Sequence, residues 1–91
     1  MESPGRMAYK VFFTPTARRD YESIRDVKLK RGINRIIEKL REDPFHFKPL
    51  SGPLSGLRSA KTFSFRVIYR IANRQLIVEV ITIEHRKDVY R

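Results

Sequence analysis

The chain of 91 residues contains no cysteine and no tryptophan, only two histidines, and no long apolar run. Each absence removes a class of protein. Without cysteine there is no disulfide framework and no thiolate metal site. His46 and His85 are too few to build a structural zinc site on their own, so no metal and no cofactor are expected. No stretch approaches the ~18 apolar residues of a membrane span. The leading MESPGR is followed by no hydrophobic segment of the signal-peptide kind. A cytoplasmic location is the expectation. Acidic charge is scarce too: ten Asp and Glu stand against twenty Lys and Arg, a formal net charge of +10.

What remains is enough for one small domain. A chain of this length buries roughly 60–65% of its unfolded surface, which leaves no room for a deep, enclosed pocket. We place the domain at residues 7–91 and read residues 1–6 as an N-terminal extension, with Met7 a possible natural start. The positive excess points to a polyanionic partner. A phosphate backbone is the commonest one, because each neutralised phosphate releases condensed counterion. An acidic protein answers the same charge.

Residues 8–14, AYKVFFT, are β-branched and aromatic and read as a strand. Thr14-Pro15 then supplies an N-cap and a first-position proline. Ala17, Tyr21 and Ile24 follow at helical spacing. Leu29, Ile33, Ile36, Ile37 and Leu40 mark a second helix, weakened at Gly32 by about 1 kcal/mol relative to Ala and ended by Pro44. The short connection around Asp26 makes the two helices an antiparallel hairpin. Their nine basic and six acidic residues over 15–43 read as a solvated face.

Residues 44–56, PFHFKPLSGPLSG, are a loop of fixed turns. Phe45, Phe47, Leu50 and Leu54 are expected to pin it to the core, and His46 reads as a surface or packing histidine. Three strands follow: LRSAKTF, a tight turn at Ser64, FRVIYRIA, a two-residue turn at Asn73-Arg74, and QLIVEVITIE. Arg is a poor second residue for that turn. In the middle strand Phe65, Val67, Tyr69 and Ile71 point one way, and Arg66, Ile68 and Arg70 the other. Residues 57–91 hold eight basic residues against three acidic ones, so the positive field gathers in the sheet half. The expected fold class is α+β, a small twisted, mainly antiparallel four-stranded sheet in the order β-α-α-β-β-β. The helical hairpin covers one face, and the other is open and basic, suited to a nucleic-acid backbone.

The pattern LSGPLSGLRSAK at 50–61, FRVIYRI at 65–71 and the terminal HRKDVYR at 85–91 resemble the RelE/ParE superfamily of toxins. The resemblance runs from Met7 to the end. It implies the toxin of a toxin–antitoxin module, held inactive by a RelB-like antitoxin with acidic or amphipathic helices. RelE-like members cleave mRNA in the ribosomal A site without a metal, by attack of the ribose 2′-hydroxyl on the adjacent phosphate. ParE-like members inhibit DNA gyrase instead.

The resemblance also implies a site. Arg66 matches the strand arginine, Arg86 the basic residue after the last strand, and Tyr90 the tail tyrosine that stacks on a base or orients the phosphate. Lys61 and Arg58 lie on the strand where RelE-like members carry a basic pair, although spacing and hairpin length differ here. Cations stabilise the phosphorane, and a titratable group moves protons. Arg58 stays protonated, so Lys61 or His85 is the proton carrier. The expected catalytic set is Lys61, Arg66, His85, Arg86 and Tyr90, with Arg58, Arg70 and Lys87 on the RNA. Expected partners are the antitoxin, mRNA and the ribosome. A gyrase inhibitor without nuclease activity is the alternative, and an inactive nucleic-acid-binding module a third reading.

Overall fold

A computed structural model describes residues 8–85. Strand β1 (Lys10–Phe13) leads into helices α1 (Pro15–Ser23) and α2 (Val27–Glu42). Then come β2 (Lys48–Pro49), β3 (Arg58–Thr62), β4 (Phe65–Ala72) and β5 (Ile77–His85). The sheet runs β1-β5-β4-β3-β2. Only β1 is parallel to its neighbour; the other pairs are antiparallel.

The helix boundaries follow from capping chemistry. The Thr14 hydroxyl accepts from Ala17 N at 3.0 Å, with Pro15 in the first turn. Asp26 accepts from Lys28 N at 2.8 Å and from Leu29 N at 3.3 Å, which starts α2 two residues before the apolar pattern does. Lys39 and Arg41 close the last turn of α2, where cations suit the helix dipole. Asp43 then accepts from Phe45 N at 3.2 Å and turns the chain away.

Both helices pack on one face of the sheet. Ala17, Ile24, Ile33, Ile36 and Leu40 meet Ala60, Phe65, Val67, Tyr69, Val78, Val80 and Ile83 in one buried cluster. The alternation expected for β4 is therefore observed. Gly32 lets α2 approach the β3–β4 turn closely: a Cβ there would stand 2.6 Å from Thr62 Oγ1 and 2.8 Å from the Phe63 ring.

Four expectations change. The sheet has five strands rather than four, because Lys48 and Pro49 pair with Ser59 and Arg58. The β4–β5 connection is not a two-residue turn. Asn73–Gln75 form a 3-10 turn, and Leu76 takes φ 55°. A single left-handed residue thus replaces the pair that a type I′ turn would demand of Asn73 and Arg74. Of the four loop residues expected to pin it, Phe47 packs on the core cluster, while Phe45 and Leu54 are exposed and Leu50 is half-buried. Finally, β5 carries a bulge: Tyr69 pairs with Val80 but Ile68 with Thr82, leaving Ile81 extra.

Candidate functional site on the open sheet face

The face opposite the helices carries the cations. Strand alternation sends Ser59 and Lys61 of β3 to this side, while Arg58, Ala60 and Thr62 turn to the other. Lys61 is the direct cross-strand partner of Arg66, and Arg66 of Glu84. One rung across three strands thus reads Lys61, Arg66, Glu84. The next reads Ser59, Ile68, Thr82, and β2 adds Lys48 opposite Ser59.

A groove of about 580 Å³ opens along this surface, lined by His46, Lys48, Ser51, Ser59, Lys61 and Arg66 among others. Its charge is graded. Arg66 Nη2 donates to Glu84 Oε1 at 3.1 Å, and Arg70 Nη2 to Glu79 Oε1 at 2.9 Å. Among the described residues no carboxylate pairs with Lys48 or Lys61. The uncompensated positive charge therefore sits at the β2–β3 end, over the groove. Arg66 is only partly exposed, and its Nε is closed to solvent without a partner. The guanidinium is thus held on one edge and keeps donors for an anion.

The expected residues separate accordingly. Lys61 and Arg66 are brought together. Arg70 shares their face but lies four residues beyond Arg66 along β4 and is paired with Glu79. Arg58 is turned to the helix side. Its Nη1 donates to Phe47 O at 2.7 Å and its guanidinium lies 5.2 Å from the Phe45 ring centroid, so it holds the groove's loop wall rather than facing a ligand. His85 pairs with Phe65 on the helix side of the sheet, ring centroids 4.9 Å apart. It does not join Lys61 and Arg66. Arg86, Lys87 and Tyr90 lie outside the described residues.

Sequence reasoning missed Lys48, Ser59 and Glu84, and gave His46 only a surface or packing role. The His46 ring stands on Phe47 at 4.9 Å and is exposed to the groove. Tyr21, on the apolar face of α1, packs half-buried against the core, and its hydroxyl donates to Asn34 at 2.9 Å. Tyr69 is fully buried and donates to Pro44 O at 2.6 Å. Burial pushes its phenol up to about 12, with Asp43 adding to the rise and Arg58 opposing it. It is a core anchor beneath the loop.

The profile described as the ParE toxin of the type II toxin–antitoxin system parDE matches residues 11–90. Toxin RelG of Mycobacterium tuberculosis is 35% identical over 86 residues, covering 93% of this chain and 99% of its own.

The chain belongs to the RelE/ParE superfamily of toxins.

Solved structures of this superfamily have the same architecture. The chain aligns with a protein of the RelBE2 toxin–antitoxin complex of M. tuberculosis at a TM-score of 0.77 and 32% identity, over 87% of this chain and 99% of that one. A YoeB/ParE toxin from Agrobacterium tumefaciens aligns at 0.75 and 28% identity, over 84% and 96%. This RelE/ParE toxin is thus spanned along nearly the full length of its relatives. Among its described residues no helix is long and apolar enough to cross a membrane.

Proposed function

We propose that this toxin is an endoribonuclease that cuts mRNA in the ribosomal A site and so stops translation in the cytoplasm. One observation carries the reading: Lys61 and Arg66 are direct cross-strand neighbours on the face opposite the helices, in one groove with Lys48. A phosphodiester lying in that groove meets two ammonium groups that pair with no carboxylate among the described residues, and a guanidinium already fixed on its far edge by Glu84. The RelE names among the relatives support the same chemistry.

The substrate supplies its own nucleophile. The ribose 2′-oxygen attacks phosphorus, the P–O5′ bond breaks, and the products are a 2′,3′-cyclic phosphate and a 5′-hydroxyl. The proton lost by the 2′-hydroxyl passes to a base, and a proton reaches the leaving O5′. The step needs stabilisation of the charge that builds on the phosphorane, which Arg66 and Lys61 supply, and in-line placement of the nucleotides. Of the two proton carriers expected, Lys61 faces the groove and His85 does not. Arg86 on the phosphate and Tyr90 on a base complete the site as the resemblance implies it; both lie outside the described residues. A RelB-type antitoxin with acidic helices neutralises the same cations and so masks the site.

The test is primer extension on an mRNA under translation. Wild-type protein is expected to leave A-site cuts, and Arg66→Ala or Lys61→Ala to slow cutting by about 10² or more each. The ParE profile match favours a second reading, inhibition of DNA gyrase without cleavage. Intact mRNA together with blocked supercoiling by the same preparation establishes that reading and overturns the first.

A further inference from the structure

We infer that Ser59 is a substrate-binding residue whose hydroxyl donates to an oxygen of the phosphodiester held by Lys61 and Arg66; the inference rests on the nuclease reading above. Ser59 is 8% exposed, yet its Oγ has no hydrogen-bond partner and is closed to solvent. A hydroxyl left so costs about 1–3 kcal/mol, and alanine in the same strand position would avoid the cost. The unpaired hydroxyl therefore does nothing for the fold.

Its surroundings indicate what it does instead. Ser59 lines the cationic groove. Lys48 stands opposite it on one side, and Lys61 follows two residues on along the same face. Arg66 Nε, likewise closed off and unpartnered, belongs to the neighbouring rung. An anionic oxygen entering among these cations gives the hydroxyl the acceptor it lacks, and a hydrogen bond to an ionised acceptor is stronger than a neutral one. A rotation of Ser59 about χ1 between staggered wells aims the donor into the groove.

Thr82 supplies an internal control. Its Oγ1 is also closed to solvent and unpartnered, and it stands on the same rung beyond Ile68, but it does not line the groove. The experiment compares Ser59→Ala, Ser59→Thr, Thr82→Val and Arg66→Ala with wild type, by thermal unfolding and by kcat/KM for ribosome-dependent cleavage. Removing an unpartnered hydroxyl should leave Tm equal or higher in both Ser59→Ala and Thr82→Val. Cleavage should fall about 10- to 100-fold in Ser59→Ala, stay within about twofold of wild type in Thr82→Val, and be largely restored in Ser59→Thr. Loss of cleavage combined with a gain in stability is a signature that a structural role for Ser59 does not produce. The inference is overturned if Ser59→Ala cleaves as wild type, or loses activity only by unfolding. If Arg66→Ala is inactive while Ser59→Ala is not, this assignment fails alone. If wild type cleaves nothing, the function fails and takes the assignment with it.

Discussion

Strand β5 outruns its parallel neighbour, and Asp20 deals with the consequence. β1 stops at Phe13, opposite Val80, whereas β5 continues to His85. Beyond Val80 the β5 backbone would present a bare edge, which is costly where it is partly buried. The start of α1 takes the place of the missing strand. The Thr14 hydroxyl donates to Ile81 O at 2.7 Å, and Asp20 Oδ2 accepts from Ile83 N at 2.9 Å. Asp20→Ala leaves the Ile83 N–H without its acceptor, at about 1–3 kcal/mol. In a domain of this size each kcal/mol moves the midpoint by about 4–8 °C, so Tm should fall by roughly 5–20 °C. Asp20→Asn keeps a side-chain oxygen in place and should cost only the charged character of the bond, about 1 kcal/mol. Thermal unfolding by circular dichroism reads the midpoint, and hydrogen exchange at the Ile83 amide reads the bond itself. The reasoning is refuted if Asp20→Ala melts within about 2 °C of wild type, or if Asn proves as damaging as Ala.

Two further outcomes follow from packing and burial. Gly32→Ala gains about 1 kcal/mol of helix propensity but drives its Cβ onto Thr62 Oγ1, 2.6 Å away. Overpacking of that kind costs about 1–3 kcal/mol, so the substitution should lower Tm and, by shifting the turn between Lys61 and Arg66, slow cleavage. In a Thr62→Ala background the same change should cost less, and because the Phe63 ring also stands 2.8 Å from that Cβ, full relief should need Phe63→Ala as well; double-mutant cycles measure each share. Tyr69, with its pKa raised by burial from 10.0 to about 12, favours the folded state while protonated. Its contribution is complete below pH ~10 and declines as pH rises toward 12, by about 3 kcal/mol at the end. Tyr69→Phe should therefore flatten alkaline unfolding, while costing stability at neutral pH because Pro44 O loses its donor; urea titrations between pH 8 and 12 check both.

The fold was largely legible because its signals are local and repeated. The alternation of Phe65, Val67 and Tyr69 against Arg66 and Ile68 needs only a period of two, and Thr14-Pro15 and Asp26 mark helix starts by their own chemistry. Strand β2 was not legible. Two residues carry no period, and Lys48-Pro49 becomes a strand only once the 44–56 loop is fastened by Arg58 and Tyr69. That fastening is what brings Lys48 and His46 to the groove. The parity of β3 did hold information: Arg58 and Lys61 are three residues apart, so a strand sends them to opposite faces. Missing partners, as at Ser59, leave no trace in a sequence.

The placement of His85 turns on a single residue. Beyond the bulge every β5 side chain faces the side opposite to the one unbroken alternation would assign. Carried straight on from Val78 and Val80, the alternation would point Thr82 and Glu84 into the core and leave Ile83 and His85 on the open face, with His85 on the side of Arg66. The extra Ile81 reverses this. Ile83 becomes core, His85 moves to Phe65, and Glu84 comes to Arg66 at 3.1 Å. A one-residue irregularity thus exchanges a histidine for a carboxylate beside the central arginine. It changes what the site can do from proton transfer at that position to fixing the guanidinium. No periodicity argument reveals it, because Val-Ile-Thr-Ile at 80–83 reads as continuous strand in either register. On the nuclease reading proposed above, the proton carrier expected on this face is Lys61, on the β2–β3 side of the groove.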